Sequence, residues 1–370
     1  MTYGAYPAGR AVAERVREHF ARHVDSPELV PDVAHIETLI DVAFWTSLRR
    51  EEGYVPTISL ALVSPAATPH PLMFARRLPL NPSALAKVAP AVERPGIHLG
   101  VSPQDGVLSV WGGTRTLPPF CMVLEVAAPG LIVVKQHRGG EHLKFANIAV
   151  LEADQVKIVD ETASSLPDCP SLLTSLLGFD TPGSWSDSVN VLVQLAVSMR
   201  AHKRGGSLLV VPTASDRWRE SIVQPIPYEL EPRFARLAEL VGQRDDERNR
   251  LWEDALGRAV DAVAGLTAVD GATIITDRYD LLAFGAKITR RRGGAPVEQT
   301  TVTEPIEGGT ADVVHPSSLG GTRHLSAAQF AHDQQDAIAL VASQDGHFTV
   351  FAWSPCEKMV HAHRVEALLL

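Results

Sequence analysis

The spacing of apolar residues changes along the 370-residue chain, and this change limits the possible folds more than any other feature. Apolar residues recur at helical spacing over residues 8–24 and 31–50. Between residues 57 and 159 they fall instead into short β-rich runs, which are separated by turn residues such as Pro-Gln-Asp-Gly at 103–106. Residues 1–165 are therefore predicted to form an α+β domain, with a helical start and a β-rich body of antiparallel hairpins.

The pattern changes again in the second half of the chain. Residues 166–186 are rich in Ser, Thr, Pro, Gly and Asp, a composition typical of a connection between domains. Helical runs and apolar runs of strand length, such as Ser207–Val211, then alternate over residues 187–370. This alternation predicts an α/β domain with a mixed central sheet flanked by helices.

Residues 213–268 are predicted to be a helical insertion within this second domain. Two helices are expected over residues 232–265. The apolar face of the first is predicted to consist of Phe234, Leu237, Leu240 and Val241, and that of the second of Leu251, Trp252, Ala255, Leu256 and Val260. We find no internal repeat in the sequence. The sequence Gly-Gly-Thr-Arg occurs both at 112–115 and at 320–323, but we interpret the first occurrence as a hairpin turn.

Charge and composition exclude several classes of function. The net charge of −9 argues against general affinity for nucleic acid, which needs a basic surface. The three cysteines, Cys121, Cys169 and Cys356, are widely spaced, and this indicates unpaired thiols in a reducing compartment. No apolar run reaches the roughly 18 residues of a membrane span, and the N-terminus has no signal-peptide pattern. We expect a cytoplasmic protein with no nucleic-acid and no membrane partner.

Four residues of the second domain have the chemistry that a nucleotide site needs. Arg323 offers a planar fork of donors for phosphate oxygens. Thr322 follows a pair of glycines, which let backbone amides approach an anion closely. Asp270 is a hard oxygen ligand that suits Mg²⁺ or Mn²⁺ held against phosphates. Gly271, directly after it, lets the chain approach a base or a ribose.

Short motifs occur in a fixed order along this domain: Gly206-Ser207-Leu208-Leu209, Asp270-Gly271-Ala272, Gly321-Thr322-Arg323-His324 and Ala342-Ser343-Gln344-Asp345. In this order, and with helices and strands between them, they resemble the motifs of the diadenylate cyclase superfamily. The resemblance covers residues 187–370, about half of the chain. Each motif alone is weak, and the order makes the resemblance specific.

The resemblance implies roles for individual residues. Asp270 would be catalytic, holding Mg²⁺ or Mn²⁺ and helping the ribose 3′-hydroxyl to attack, and Arg323 and His324 would bind the phosphates of ATP. The remaining nucleotide-binding residues implied by the motifs are Gly206, Gly271, Ala272, Gly321 and Thr322. Since two cyclase protomers face each other to join two ATP molecules into cyclic di-AMP, a homo-oligomer is expected as well.

The sequence departs from the cyclase pattern at Leu325, where the family has a second arginine after the histidine. Loss of one charge-assisted hydrogen bond lowers the affinity, or the rate of the step that uses it, by about 10- to 100-fold. Lys287, or the Thr-Arg-Arg-Arg-Gly-Gly turn at 289–294, is a candidate to compensate; otherwise that turn is a solvated hairpin tip. The Arg-His-Leu form of the motif, with a β-rich N-terminal partner, also resembles the DACNV branch, whose members are described as probable sensor domains.

Three hypotheses about function follow. The first is a sensor that binds ATP, cyclic di-AMP or a related nucleotide. The second is an active diadenylate cyclase that uses Mg²⁺ or Mn²⁺ in a face-to-face dimer. The third is a non-catalytic interaction protein whose pocket has decayed, with Asp270 in a turn and Arg323 in a surface ion pair.

Overall fold

The computed structural model describes residues 5–24, 26–94, 96–138, 145–160, 191–244 and 248–370. The chain divides into two compact units, residues 1–160 with Leu370, and residues 161–369. The predicted connection at 166–186, with Cys169, lies outside the described residues. The helices are α1 (Gly9–His23), α2 (Val33–Ser47) and α3 (Pro82–Val88) in the first unit, and α4 (Val191–Ala201), α5 (Arg236–Val241), α6 (Arg250–Leu266) and α7 (Thr322–Asp333) in the second. Of the helices within the described ranges, none combines the length and the hydropathy that a bilayer span requires.

The first unit is built on an eight-stranded sheet with the order β2-β4-β3-β1-β5-β6-β7-β8. Its strands are β1 (Ile58–Leu62), β2 (Leu72–Pro79), β3 (His98–Gln104), β4 (Val107–Thr114), β5 (Met122–Ala128), β6 (Leu131–His137), β7 (Phe145–Glu152) and β8 (Gln155–Ile158). The prediction of an α+β class is confirmed. The prediction of antiparallel hairpins is wrong for β1 and β3, which pair in parallel. The segment between them contains α3 and is long enough for the crossover that a parallel pair needs.

One face of this sheet packs on helices α1 and α2. Phe20 of α1 and Ile36 of α2 are fully buried with Leu60, Leu99 and Leu124 in one apolar cluster. Local signals set the helix starts, because the side chain of Asp32 accepts a hydrogen bond from the amide of Ala34, and Asn81 caps α3 in the same way. Strand β2 could not be predicted from apolar alternation, since most of its side chains are exposed.

The second unit has a nine-stranded mixed sheet with the order β10-β12-β11-β9-β15-β16-β17-β13-β14. Its strands are β9 (Gly206–Val211), β10 (Tyr228–Phe234), β11 (Ala272–Thr276), β12 (Leu281–Ala286), β13 (Thr300–Thr303), β14 (Asp312–Val314), β15 (Ile338–Ala342), β16 (Phe348–Ser354) and β17 (Met359–Arg364). Helices cover both faces, because α4 and α6 belong to one apolar cluster and α7 to another. This is the predicted mixed sheet flanked by helices.

The segment predicted as a helical insertion at 213–268 is only partly helical. It contributes the edge strand β10, which pairs with β12. Phe234 lies in this strand and is 43% exposed, so its predicted place on a helix face is wrong. Leu251 lies in α6 but is 76% exposed, whereas the neighbouring Trp252 is buried and its indole donates to the carbonyl of Leu240. The other residues predicted for this face, Trp252, Ala255, Leu256 and Val260, do lie in or against the apolar cluster, so only the place of Leu251 is wrong.

The two sheets share a strand order that the sequence does not reveal. In each, the first three strands of the sheet pair antiparallel in succession, the third and fourth pair in parallel, and three more antiparallel strands complete a run of seven. In the second unit β13 and β14 are inserted before the fifth strand of the run in chain order and lie beyond the seventh in the sheet. The two units thus share a topology, although the sequence shows no internal repeat. Gly112–Thr114 is also not a hairpin turn, since it lies within β4.

Gly100 on β3 provides a test of packing in the first unit. A Cβ at this position would lie 2.0 Å from Cζ2 of Trp111, whose indole is fully buried and donates to the carbonyl of Val63 at 2.8 Å. Gly100→Ala should therefore destabilise this unit by about 1–3 kcal/mol through overpacking, as measured by urea unfolding. Gly113→Ala is the matched control, because its Cβ would meet only the His98 carbonyl oxygen at 3.7 Å. Equal losses from both variants would contradict this packing.

Candidate functional site

The motif residues meet at one end of the second sheet, where β9 and β11 begin and β12 ends. Strands β9 and β11 run in parallel from this end, with Ser207 paired to Ala272, and β12 ends there, with Ala286 also opposite Ala272. The residues just before β11 and just after β12 therefore lie next to each other. The N-terminus of α7 completes a cavity of about 160 Å³. Of the predicted site residues, Asp270, Gly271, Ala272, Lys287, Thr322 and Arg323 line it.

Two glycines set the backbone at this end of the sheet. Gly271 has φ +114°, and a Cβ there would lie 2.4 Å from the carbonyl carbon of Gly285. Gly285 has φ +66°, and its own Cβ would lie 2.7 Å from the ring of Tyr228. Both positions require glycine for their backbone angle and for close approach. The Tyr228 ring is half exposed and stacks on Phe284, with ring centroids 4.7 Å apart and an interplanar angle of 9°.

Asp270 and Lys287 form an ion pair at the cavity mouth. Nζ of Lys287 donates to Oδ2 of Asp270 at 2.5 Å, and the side chains are 51% and 87% exposed, respectively. The hydrogen bond and the charge of Lys287 lower the pKa of Asp270, and the charge of Arg323 lowers it further. Because the carboxylate is exposed, this pair contributes little to stability. The pair does show that one anion, Asp270, has two cations near it, Lys287 and Arg323.

The first turn of α7 faces the same cavity. The helix begins at Thr322, and its N-cap, Gly321, supplies no side chain to cap the amides of the first turn. A Cβ at Gly205 would lie 3.2 Å from Nη1 of Arg323, which places the guanidinium against the end of the loop that leads into β9. The N-terminus of a helix carries a partial positive charge and free amide donors. Together with Arg323 it gives this side of the cavity the character of an anion site.

Three predicted residues do not line the cavity. Gly206 is buried, and a Cβ there would lie 2.6 Å from the carbonyl oxygen of Thr267, so the glycine serves packing. Gly321 acts as the N-cap of α7. His324 is 5% exposed and packs edge-to-face on Phe351, and burial, followed by nearby cationic side chains, lowers its pKa. The structure thus gives His324 a place in the core as a neutral ring.

Sequence reasoning missed Ser207, Ala286, Ile288 and Ser326, which also line the cavity. Helical periodicity could have found Ser326, because it lies one turn after Thr322 on the same helix face. Leu325, where the cyclases have arginine, is 38% exposed and lies outside the cavity lining.

The cavity offers few ligands to a divalent cation. The cavity lining contains one carboxylate, that of Asp270, and Lys287 already binds it. Within the described part of the chain, no group of three or more His, Cys, Asp or Glu side chains is placed to hold a metal ion. Mg²⁺ in nucleotide sites is commonly held by one or two carboxylates and by the phosphates. A cation at Asp270 would therefore have to displace Lys287, and the metal-binding role of Asp270 stays a prediction.

A comparison with protein-family models gives a match in the first unit. Residues 25–115 match the family model described as "Probable sensor domain DACNV". The match runs from α2 to β4 and covers about a quarter of the chain. It is consistent with a sensing role. The DACNV match does not reach the cavity or the motifs of the second unit, so the likeness of that unit to the cyclases rests on the motifs. Among curated proteins, none matches this chain.

The ion pair at the cavity mouth can be tested by titration. Lys287→Met should raise the pKa of Asp270, because both the hydrogen bond and the nearby positive charge are lost. Arg323→Met should raise it less, because Arg323 acts only through its charge. NMR titration of the Asp270 carboxyl group measures both shifts. Arg278→Met, in the turn at the opposite end of β11, is the control. A pKa of Asp270 that responds equally to all three changes would rule out the pairing.

Proposed function

We propose that the second unit binds the phosphates of a nucleotide at the cavity between Asp270 and Arg323, and that the chain senses this nucleotide. The observation that carries the proposal is the convergence of Lys287, Arg323 and the uncapped N-terminus of α7 on one cavity. A phosphate group needs several donors and positive charge in one place, and these three features supply both.

The cavity size favours the phosphate end of the ligand. Its volume is about 160 Å³, whereas pockets for whole drug-sized ligands span roughly 300–1,000 Å³. We therefore assign it to phosphate and let the ribose and base extend beyond it. The half-exposed Tyr228 ring, stacked on Phe284, lies next to Gly285 and offers an aromatic surface near the end of β12.

Sensing is favoured over synthesis by the surroundings of Asp270. Its carboxylate is bound to Lys287 instead of standing free for a metal ion. Phosphate binding also does not depend on an arginine at Leu325, because the cavity already contains two cationic side chains. The family description of the first unit, a probable sensor domain, supports the same role.

Calorimetric titration of the whole chain with ATP and with cyclic di-AMP tests the proposal. Arg323→Ala should lower the affinity about 10- to 100-fold, since it removes a charge-assisted hydrogen bond to phosphate. Arg278→Ala, which removes an equal charge from the far end of β11, should leave the affinity unchanged. Absence of binding by the unmodified chain to either nucleotide would overturn the proposal, and the decayed-pocket hypothesis would then stand.

Asp270→Asn separates binding without a metal from binding with one. In the sensor it removes a negative charge beside the phosphates and releases Lys287, so the affinity measured without divalent cations should rise. If Asp270 instead holds a metal, the same change should lower the affinity measured with Mg²⁺ or Mn²⁺.

An active cyclase is the second candidate, and the observation that favours it is the ionised, exposed carboxylate of Asp270 at the cavity mouth. It requires two copies of the chain whose cavities face each other. Incubation with ATP and Mn²⁺, followed by chromatography, detects cyclic di-AMP. Product that disappears in Asp270→Asn would establish synthesis, and no product with any divalent cation would exclude it.

A further inference from the structure

The arginine-rich turn at 289–294 is held in place and is not a solvated hairpin tip. The amide of Arg291 donates to Oδ2 of Asp333 at 2.8 Å, and the amide of Gly294 donates to the carbonyl of Arg291 at 2.9 Å. The side chain of Gln329 donates to the carbonyl of Ala295 and accepts from the amide of Val297. The turn is therefore clamped to the C-terminal end of α7.

This turn lines a second cavity of the second unit. The cavity measures about 600 Å³, nearly four times the volume of the one at Asp270, and it shares no lining residue with that one. Its volume lies within the range of small-molecule sites. We call it the arginine cavity; the residues that matter are Arg217, Arg291, Arg292, His332 and Trp353.

Three guanidinium groups and two carboxylates line the arginine cavity. Arg291 pairs with Glu220 at 3.0 Å, whereas no ion pair within the described ranges involves Arg217 or Arg292. Two aspartates also belong to the lining. The side chain of Asp333 is only 3% exposed and accepts hydrogen bonds from the backbone of Arg291 and from Gln329, so its charge is largely satisfied. Asp336 is exposed, so the guanidinium groups of Arg217 and Arg292, neither of which is in an ion pair within the described ranges, lie beside one exposed carboxylate.

The aromatic rings of Trp353 and His332 also line the arginine cavity. Trp353 lies within strand β16, which fixes its backbone, and its ring meets the His332 ring edge-on at a centroid distance of 5.7 Å. Its side chain is partly exposed into the cavity. Guanidinium forks suit phosphate oxygens, and an indole face suits a planar ring.

We propose that the arginine cavity is a second ligand site, for a phosphate ester of a planar heterocycle. The phosphates bind Arg217 and Arg292, and the ring packs against Trp353. This inference does not rest on the function proposed for the Asp270 cavity. A chain with both sites would hold two anionic ligands, one at each end of α7.

Calorimetry with ATP as the probe tests the second site in the whole chain carrying Lys287→Ala and Arg323→Ala, which disables the first site. One ATP per chain should still bind. Adding Arg217→Ala and Arg292→Ala should lower this affinity at least about 10-fold. Trp353→Leu should reduce the affinity for ATP to that for inorganic tripolyphosphate, because the ring contact is lost.

Arg290→Ala is the matched control, since Arg290 belongs to the same turn and is exposed but does not line the cavity. It should leave ATP binding unchanged, and thermal unfolding should show that every variant stays folded. Loss of all ATP binding in the Lys287→Ala, Arg323→Ala chain would overturn the second site and leave the first standing. An effect of Arg290→Ala equal to that of Arg292→Ala would reduce the site to unspecific attraction and would overturn it as well. The reverse result, with binding lost only in the arginine-cavity variants, would support this site and refute the first.

Discussion

The backbone contact between Gly271 and Gly285 sets the spacing on which the candidate site depends. With no Cβ at either residue, the start of β11 and the end of β12 approach more closely than side chains would permit. That approach brings the residue before Gly271 within hydrogen-bonding distance of the residue two positions after Gly285, which is how Asp270 and Lys287 become a pair. The glycine of the Asp-Gly-Ala motif is thus needed for the spacing of the strands, in addition to any contact with a ligand.

Much of this site could be predicted, because Asp270, Thr322 and Arg323 belong to short motifs with the chemistry of a phosphate site, and Lys287 is a nearby candidate cation. The structure brings all four to one cavity. His324 was assigned to phosphate by resemblance, but whether the ring points to the cavity or to Phe351 depends on tertiary packing, which the local sequence does not specify.

The fold was harder to predict from the sequence where strands are exposed. Strands β2 and β10 have mostly exposed side chains, so they lack the apolar alternation by which a strand is recognised. The turn at 289–294 has the composition of a solvated tip, yet Asp333 and Gln329, some forty residues away in sequence, hold it against α7. Such long-range hydrogen bonds leave no local signal. The parallel pairing of β1 and β3 was missed for a similar reason, since strand direction is set by the crossover.

The two sheets have the same strand order, so the arrangement that holds each unit together does not decide what that unit can bind. The buried strands keep the same arrangement in both, while the Asp-Gly-Ala and Gly-Thr-Arg-His motifs occur only in the second. Of the first motif, Asp270 and Gly271 precede β11, which begins at Ala272, and the second motif lies at the start of α7. The strand order therefore forms the core of each unit, and the polar side chains of the second unit's cavity extend from strand ends and from α7, so they can vary while the strand order stays the same.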